Sequence, residues 1–282
     1  MFWAGITFFI AQMINTDNKD MFSDKDGIGV LEIKGVIISA EEQINDLTAF
    51  RNNDKVKAII VRIDSPGGAV GASQELFDEI RRTDKVKPVV ASMGSVAASG
   101  GYYAALGARE IYANPGTITG SIGVILKFAN LKELFEKIGY KNEVVKSGAL
   151  KDIGSTDRAL NSEERAFLQA LIDNVHSQFI KAVVQQRELP EETVRGLADG
   201  RIFSGEQAQT FGLVDTLGNF TDAIEKTATL AGLDVDNPRL IYPKTNEFDL
   251  MQFLSQGNVA GSVLNTILNH YPTLAYQLAM PR

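Results

Sequence analysis

Lys87-Pro-Val-Val-Ala-Ser-Met93 runs straight into Gly94-Ser-Val-Ala-Ala-Ser-Gly-Gly-Tyr-Tyr103, and the join between the two decides the fold. The first seven residues have the β-branched, uncharged character of a short buried strand, whereas Ala97 to Ala108 is a small-residue segment suited to a tightly packed helix. The turn between them is where a hydroxyl can sit exposed. A helix beginning near Ser99 aims its free amide groups at whatever approaches the turn, so the N–H of Gly100 or Gly101 can stabilise a developing oxyanion. Glycine also lets a carbonyl come close. A helix N-cap serine followed by close-packing glycines has the same local appearance, so the flanking sequence must separate the two.

Upstream, Ile28 to Ile38 reads as a strand or bent strand pair, Glu41 to Arg51 as an amphipathic helix and Val56 to Ile63 as a largely buried strand. That strand ends in Asp64-Ser-Pro-Gly-Gly68, a turn whose glycines leave backbone N–H groups accessible and can supply a second oxyanion donor. A helix follows over Gly71 to Thr83. Downstream come Glu110 to Ala113 and the turn-rich Asn114 to Val124, with Ser121 between Gly120 and Ile122. Leu131 to Ile138 reads as helix, Lys141 to Val145 as extended, and Lys146 to Ile153 as a loop carrying Lys151. Strand and helix alternate throughout, the signature of an α/β domain with crossover connections. Ser162 to Arg187 repeats Phe167, Leu168, Leu171, Ile172, Val175, Phe179 and Val183 on one helical face. Pro190 to Glu192 starts a short helix, Ser204 with Gln207 caps another, and Phe220 to Ala231 forms the last.

Composition removes several chemistries. The 282 residues, 44% of them hydrophobic, suffice for a sizeable core. A balance of 28 basic against 35 acidic residues, net −7, argues against general affinity for nucleic acid. There is no cysteine and only two histidines, His176 and His270, which excludes thiol catalysis and leaves no His-Glu-x-x-His zinc site. No metal and no cofactor are expected. A serine hydroxyl needs a base within hydrogen-bond reach. His176 falls in the long amphipathic segment and His270 beside Tyr271-Pro272, neither in a glycine-rich turn. A lysine can serve instead as the neutral amine, a form that burial favours, and Lys151 is the candidate, with a hydroxyl such as that of Ser121 to hold the amine towards Ser99.

Asp64-Ser-Pro-Gly-Gly68, Gly94 to Tyr103, Thr119-Gly-Ser-Ile-Gly123, Ser147-Gly-Ala-Leu-Lys-Asp152 and Gly205-Glu-Gln-Ala with Gly212-Leu-Val-Asp215 together resemble, in order, the motifs of the signal peptide peptidase A (protease IV) family. The resemblance covers residues 27 to 235 and matches the short, single-repeat members. It implies a Clp protease/crotonase-like spiral of ββα units with C-terminal helices, and a serine endopeptidase that degrades extended hydrophobic peptides such as signal peptide remnants. Carried over by motif, Ser99 is the nucleophile, Lys151 the general base and Ser121 the residue that positions it. Gly68 and Gly100 are the oxyanion donors, and Ser95 has no assigned chemistry. The resemblance further implies a ring-like homo-oligomer with sites shared between neighbouring subunits. It also implies a single N-terminal anchor in the cytoplasmic membrane, with the catalytic domain on the extracytoplasmic side.

Met1 to Ile14 is apolar and uncharged, but as a helix it spans only about 21 Å at ~1.5 Å per residue. It is expected to be a membrane anchor lacking part of its beginning, with residues 15–26 as a linker, 27–235 as the protease domain and 236–282 as an extension offering an oligomer or membrane contact. Two other readings share these features: a crotonase-type acyl-CoA enzyme, which would need pocket carboxylates and no nucleophilic serine, and an inactive membrane-associated scaffold.

Overall fold

The computed structural model describes residues 25–243 and the backbone of residues 275–277. The expected anchor, most of the linker and His270 lie outside the described residues. The chain opens with β1 (Gly27–Lys34), α1 (Glu41–Asn52), β2 (Val56–Ser65), the short β3 (Gly67–Ala69), α2 (Val70–Asp84) and β4 (Val89–Ala98). β1, β2 and β4 lie parallel with β2 in the centre. Ala58 to Val61 are fully buried because a parallel strand with neighbours on both sides and helices on both faces meets no water. Side chains alternate across the sheet. Ile59, Val61 and Ile63 join the large core with Leu47, Phe50, Leu76, Ile80 and Phe179. On the other face Ile28 and Ile60 meet Ala228 and Ile224 of α8 (Phe220–Ala231). Each fully buried Ile or Leu contributes about 1.5–3 kcal/mol.

β4 forks. Its first half, Val90 to Ser92, pairs with β5 (Glu110–Ala113), and its second, Val96 to Ala98, pairs with β6 (Ile118–Gly120). β5 continues to β8 (Thr216–Leu217), and β6 pairs antiparallel with β7 (Ile202–Ser204). The fork explains a departure from the sequence reading. Ala97 and Ala98 belong to the strand, because Ala97 is paired with Ser65 and Thr119 and Ala98 with Gly120. Helix α3 (Gly100–Ala105) therefore starts only after Ser99 and has six residues. No strand forms over Lys141 to Val145. The sheet also takes in β9 (Leu240–Ile241), which pairs with β1, so the folded domain continues past residue 235.

Between β6 and α5 (Ser162–Arg187) the chain leaves the core as an arm that carries α4 (Lys132–Lys137). Its stem is closed where Leu131 N donates to Thr156 O at 2.7 Å and Phe128 packs over Gly154. Beyond the stem the arm is exposed, with Leu134 at 52%, Ile138 at 67% and Val145 at 101%. α5 begins at a capping box formed by Asn161 and Glu164, which satisfies two amide groups that a bare helix start leaves open. Of the expected apolar face, Leu168, Val175, Phe179 and Val183 are buried. Phe167 and Leu171 are exposed, because the core ends before the first turns of the helix. α6 (Glu191–Leu197) and α7 (Gly205–Thr210) follow, the latter with the Ser204–Gln207 capping box that the sequence suggested. Finally β10 (Ala275–Gln277) lies antiparallel on β3. Among the described residues no helix is long and apolar enough to cross a membrane.

Candidate active site

Ser99 and Ser121 end neighbouring strands. Ala98 of β4 is paired with Gly120 of β6, and Ser99 N donates to Gly120 O at 2.8 Å, so the residues that follow the two strands lie side by side. Both serines take left-handed backbone, φ 55° at Ser99 and φ 51° at Ser121. That region costs a side-chain-bearing residue of order 1–3 kcal/mol and persists only where the surroundings enforce it. Here Ser99 O accepts from Tyr103 N at 2.8 Å, Ser121 N donates to Arg201 O at 2.8 Å and Thr119 Oγ1 donates to Ala97 O at 2.7 Å. The turn is not exposed as expected: Ser99 is 1% and Ser121 7% accessible, with β6 paired to the end of β4 and β7 paired in turn to β6. Ser95, within β4, is exposed.

α3 is fixed from below. Tyr102 is fully buried and its hydroxyl donates to Leu213 O at 2.9 Å; burial pushes its phenol well above the ordinary range. Tyr103 packs edge-on against Phe77 and Phe179, at 5.2 and 4.8 Å between ring centroids. A Cβ on Gly101 would lie 2.8 Å from Ser65 O, so α3 can sit this close to the end of β2 only through glycine. The N–H groups at the start of α3, that of Gly100 among them, have no partner within so short a helix.

β3 supplies the other wall. Ile37 N donates to Gly67 O at 3.0 Å and Ala69 N to Ile37 O at 2.7 Å. Strand alternation therefore turns the N–H and C=O of Gly68 to the opposite edge, where Tyr276 is its partner in the ladder. A Cβ on Gly68 would lie 1.9 Å from Ile37 O, so no other residue fits there.

Lys151 is elsewhere. It lies in an exposed turn of the arm, its N–H donating to Gly148 O at 3.1 Å, and among the described residues its amine makes no hydrogen bond or ion pair with the Ser99 turn. One chain thus sets Ser99, Gly100 and Ser121 side by side, with β3 against α3, and leaves Lys151 on the exposed arm. His176 lies on α5 with its Nε2 buried and unpartnered. Among the described residues no three His, Asp or Glu side chains cluster as metal ligands would.

Sequence reading missed Arg158. Its guanidinium spans Asp152, with Nη2–Oδ1 at 2.9 Å, and Glu164, with Nη2–Oε1 at 2.5 Å and Nη1–Oε2 at 2.8 Å. Hydrogen bonds from Arg158, and then from Lys146, hold the Asp152 carboxyl down at about 2; Arg158 and then the capping amide of Asn161 do the same for Glu164, also to about 2. Neither the Asn161–Glu164 cap nor the ion pairs that use the same carboxylate were read from the sequence, which marked this helix only by its apolar repeat.

A family model for Clp protease matches residues 33–117, the stretch from the end of β1 to the approach to β6, and defines the class as Clp protease-like α/β. A second model, peptidase family S49, matches residues 81–234. A Synechocystis sp. protein that bears a protease name is 48% identical over 220 residues, 77% of this chain and 79% of that one. The chloroplastic serine protease SPPA of Arabidopsis thaliana is 38% identical over 197 residues, 70% of this chain but 29% of its own length. Protease 4 of Salmonella typhi is 38% identical over 216 residues, 73% of this chain and 35% of its own length. The chain therefore belongs to peptidase family S49 and is a serine protease of that family.

Proposed function

We propose that the chain is an endopeptidase with a serine–lysine dyad whose two members come from neighbouring copies. The carrying observation is the strained, buried Ser99 turn, flanked by Ser121 and two glycine-built walls, while Lys151 stands on an exposed arm. Ser99 Oγ attacks the scissile carbonyl as its proton passes to the neutral Lys151 amine. The amine then gives that proton to the leaving nitrogen, and water releases the acyl group from Ser99 in the second half of the cycle. Ser121 orients the lysine. The N–H groups of Gly68 and Gly100 receive the oxyanion.

Sharing of the site is supported by two features. A lysine becomes a base only when desolvated, and the arm that carries it exposes Leu134, Ile138, Tyr140, Val144 and Val145, apolar side chains that a second copy could cover. In addition, about 22 Å of helix at ~1.5 Å per residue separates Glu164, beside the Lys151 turn, from Phe179, which packs on α3. The substrate is an extended apolar peptide, such as a signal peptide remnant, aligned on the edge of β3; pairing of Ala275–Gln277 there supports strand addition as the binding mode. The setting that fits such substrates is the outer side of the cytoplasmic membrane, with the N-terminal segment as anchor.

The test is complementation. Ser99→Ala and Lys151→Ala homo-oligomers should each be inactive, and mixing them under subunit exchange should restore activity in proportion to the mixing ratio. If native mass spectrometry confirms exchange and no activity returns, the shared site is wrong. Turnover should also rise from neutral to mildly alkaline pH, since only the neutral amine accepts the proton.

A further inference from the structure

The Lys151 turn lacks support from the core, and Arg158 supplies it. We propose that Arg158 is a positioning residue: by gripping Asp152 and Glu164 together it fixes the Lys151 turn to the first turn of α5 and so sets where the lysine amine is presented. This rests on Lys151 being the base. Asp152 follows Lys151 directly in the chain and is held from two sides. Arg158 meets both of its carboxylate oxygens, Nη2–Oδ1 at 2.9 Å and Nε–Oδ2 at 3.2 Å, and Lys146 Nζ reaches Oδ1 at 2.5 Å. The other end of the grip is rigid. Glu164 is 1% accessible, and its Oε2 also accepts the Asn161 N–H at 2.9 Å within the capping box.

Two carboxylates met by one planar guanidinium form a grip with a fixed angle as well as a fixed length, which a single ammonium cannot reproduce. From Glu164 the support continues along α5 to Phe179, whose ring rests on Tyr103, four residues after Ser99. The same helix therefore gauges the chain's own serine turn and the lysine turn that it offers to a neighbour. Misplacing the amine by about 1 Å would cost roughly 100-fold in rate, whereas substrate binding along β3 would be untouched.

The experiment uses the full chain in its native assembly and compares Arg158→Gln, Arg158→Lys and Lys151→Ala on a chromogenic peptide and by labelling of Ser99 with a serine-reactive phosphonate. Arg158→Gln should lower kcat roughly 10- to 100-fold with KM changed less than about twofold, and Arg158→Lys should recover part of the loss. In a Lys151→Ala background, Arg158→Gln should alter the residual labelling rate by less than about twofold, since there is no amine left to position. Equal losses in both backgrounds would mark a merely structural role and overturn the proposal, as would an unchanged kcat in Arg158→Gln beside an inactive Lys151→Ala. Full turnover in Lys151→Ala would instead remove the base assignment itself, and the positioning role with it. Should Arg158→Gln fail to fold, Asp152→Asn loosens the same grip and carries the same comparison.

Discussion

The Ser99 turn and the Lys151 arm are built in opposite ways. The turn is strained and nearly inaccessible, and its backbone is tied into the domain through Ser99 N to Gly120 O, Tyr103 N to Ser99 O and Ser121 N to Arg201 O. The arm is closed at its stem, tied by charges and otherwise open to water. A rigid core can hold a serine in a costly conformation because many contacts share the strain. A lysine presented to another surface, as proposed here, would need the reverse, and the arm leaves Leu134, Ile138 and Val145 uncovered. In the shared site proposed above, half would be finished by folding and half left for association.

The largest effect tests the finished half. Ser99→Ala should reduce hydrolysis by roughly 10³-fold or more with the melting temperature unchanged. Ser99→Gly should be equally inactive yet more stable than Ser99→Ala by about 1 kcal/mol, because glycine accepts φ 55° without strain. Full activity in Ser99→Ala would remove the distinction between the two regions altogether. Next, Gly68→Ala should lower kcat/KM roughly 100-fold and cost about 1–3 kcal/mol of stability measured by urea unfolding, since its Cβ would collide with Ile37 O.

The unfinished half is tested by Leu134→Asp with Ile138→Asp. Both positions are exposed, so the folded chain should change by less than about 0.5 kcal/mol. Light scattering should nevertheless show smaller particles, and activity should fall with them. Retained assembly would mean that the arm is not where copies meet. A smaller effect is expected in acid. Asp152 and Glu164 are held down at about 2; their contribution to arm stability is full above the ordinary carboxylate value of ~4 and is lost as pH falls towards 2. Amide-exchange protection over residues 141–158 should therefore decline across that window while the protection of β2 persists. The smallest effect belongs to His176→Ala, for which turnover should stay within about twofold of the parent; a collapse of activity with assembly intact would return histidine to the mechanism.

Much of the finished half was legible in the sequence. Val56 to Ile63 and Lys87 to Met93 read as strands because a buried parallel strand has no polar face to hide it, and α5 kept its expected bounds because its apolar positions repeat at helical spacing from Phe167 to Val183. Other features were hidden because they depend on partners distant in sequence. The start of α3 follows from the pairing of Ala98 with Gly120, and the anchoring of Ser121 follows from Arg201, which stands just before β7 and accepts its N–H. Arg158 was hidden for another reason: a charged residue in a loop looks the same in sequence whether it is solvated or, as here, holds two carboxylates.

The short pairing of Ala275–Gln277 with β3 also bears on selectivity. A free edge would reward any extended chain with new ladder hydrogen bonds, and would equally invite other copies to aggregate there. An edge already occupied rewards an incoming strand with little net hydrogen bonding, because each bond formed replaces one given up. Under the proposed strand-addition mode, discrimination would then fall on the side chains of the incoming peptide. If substrate adds to β3 as proposed, an occupied edge would make the site select by side chain rather than by backbone.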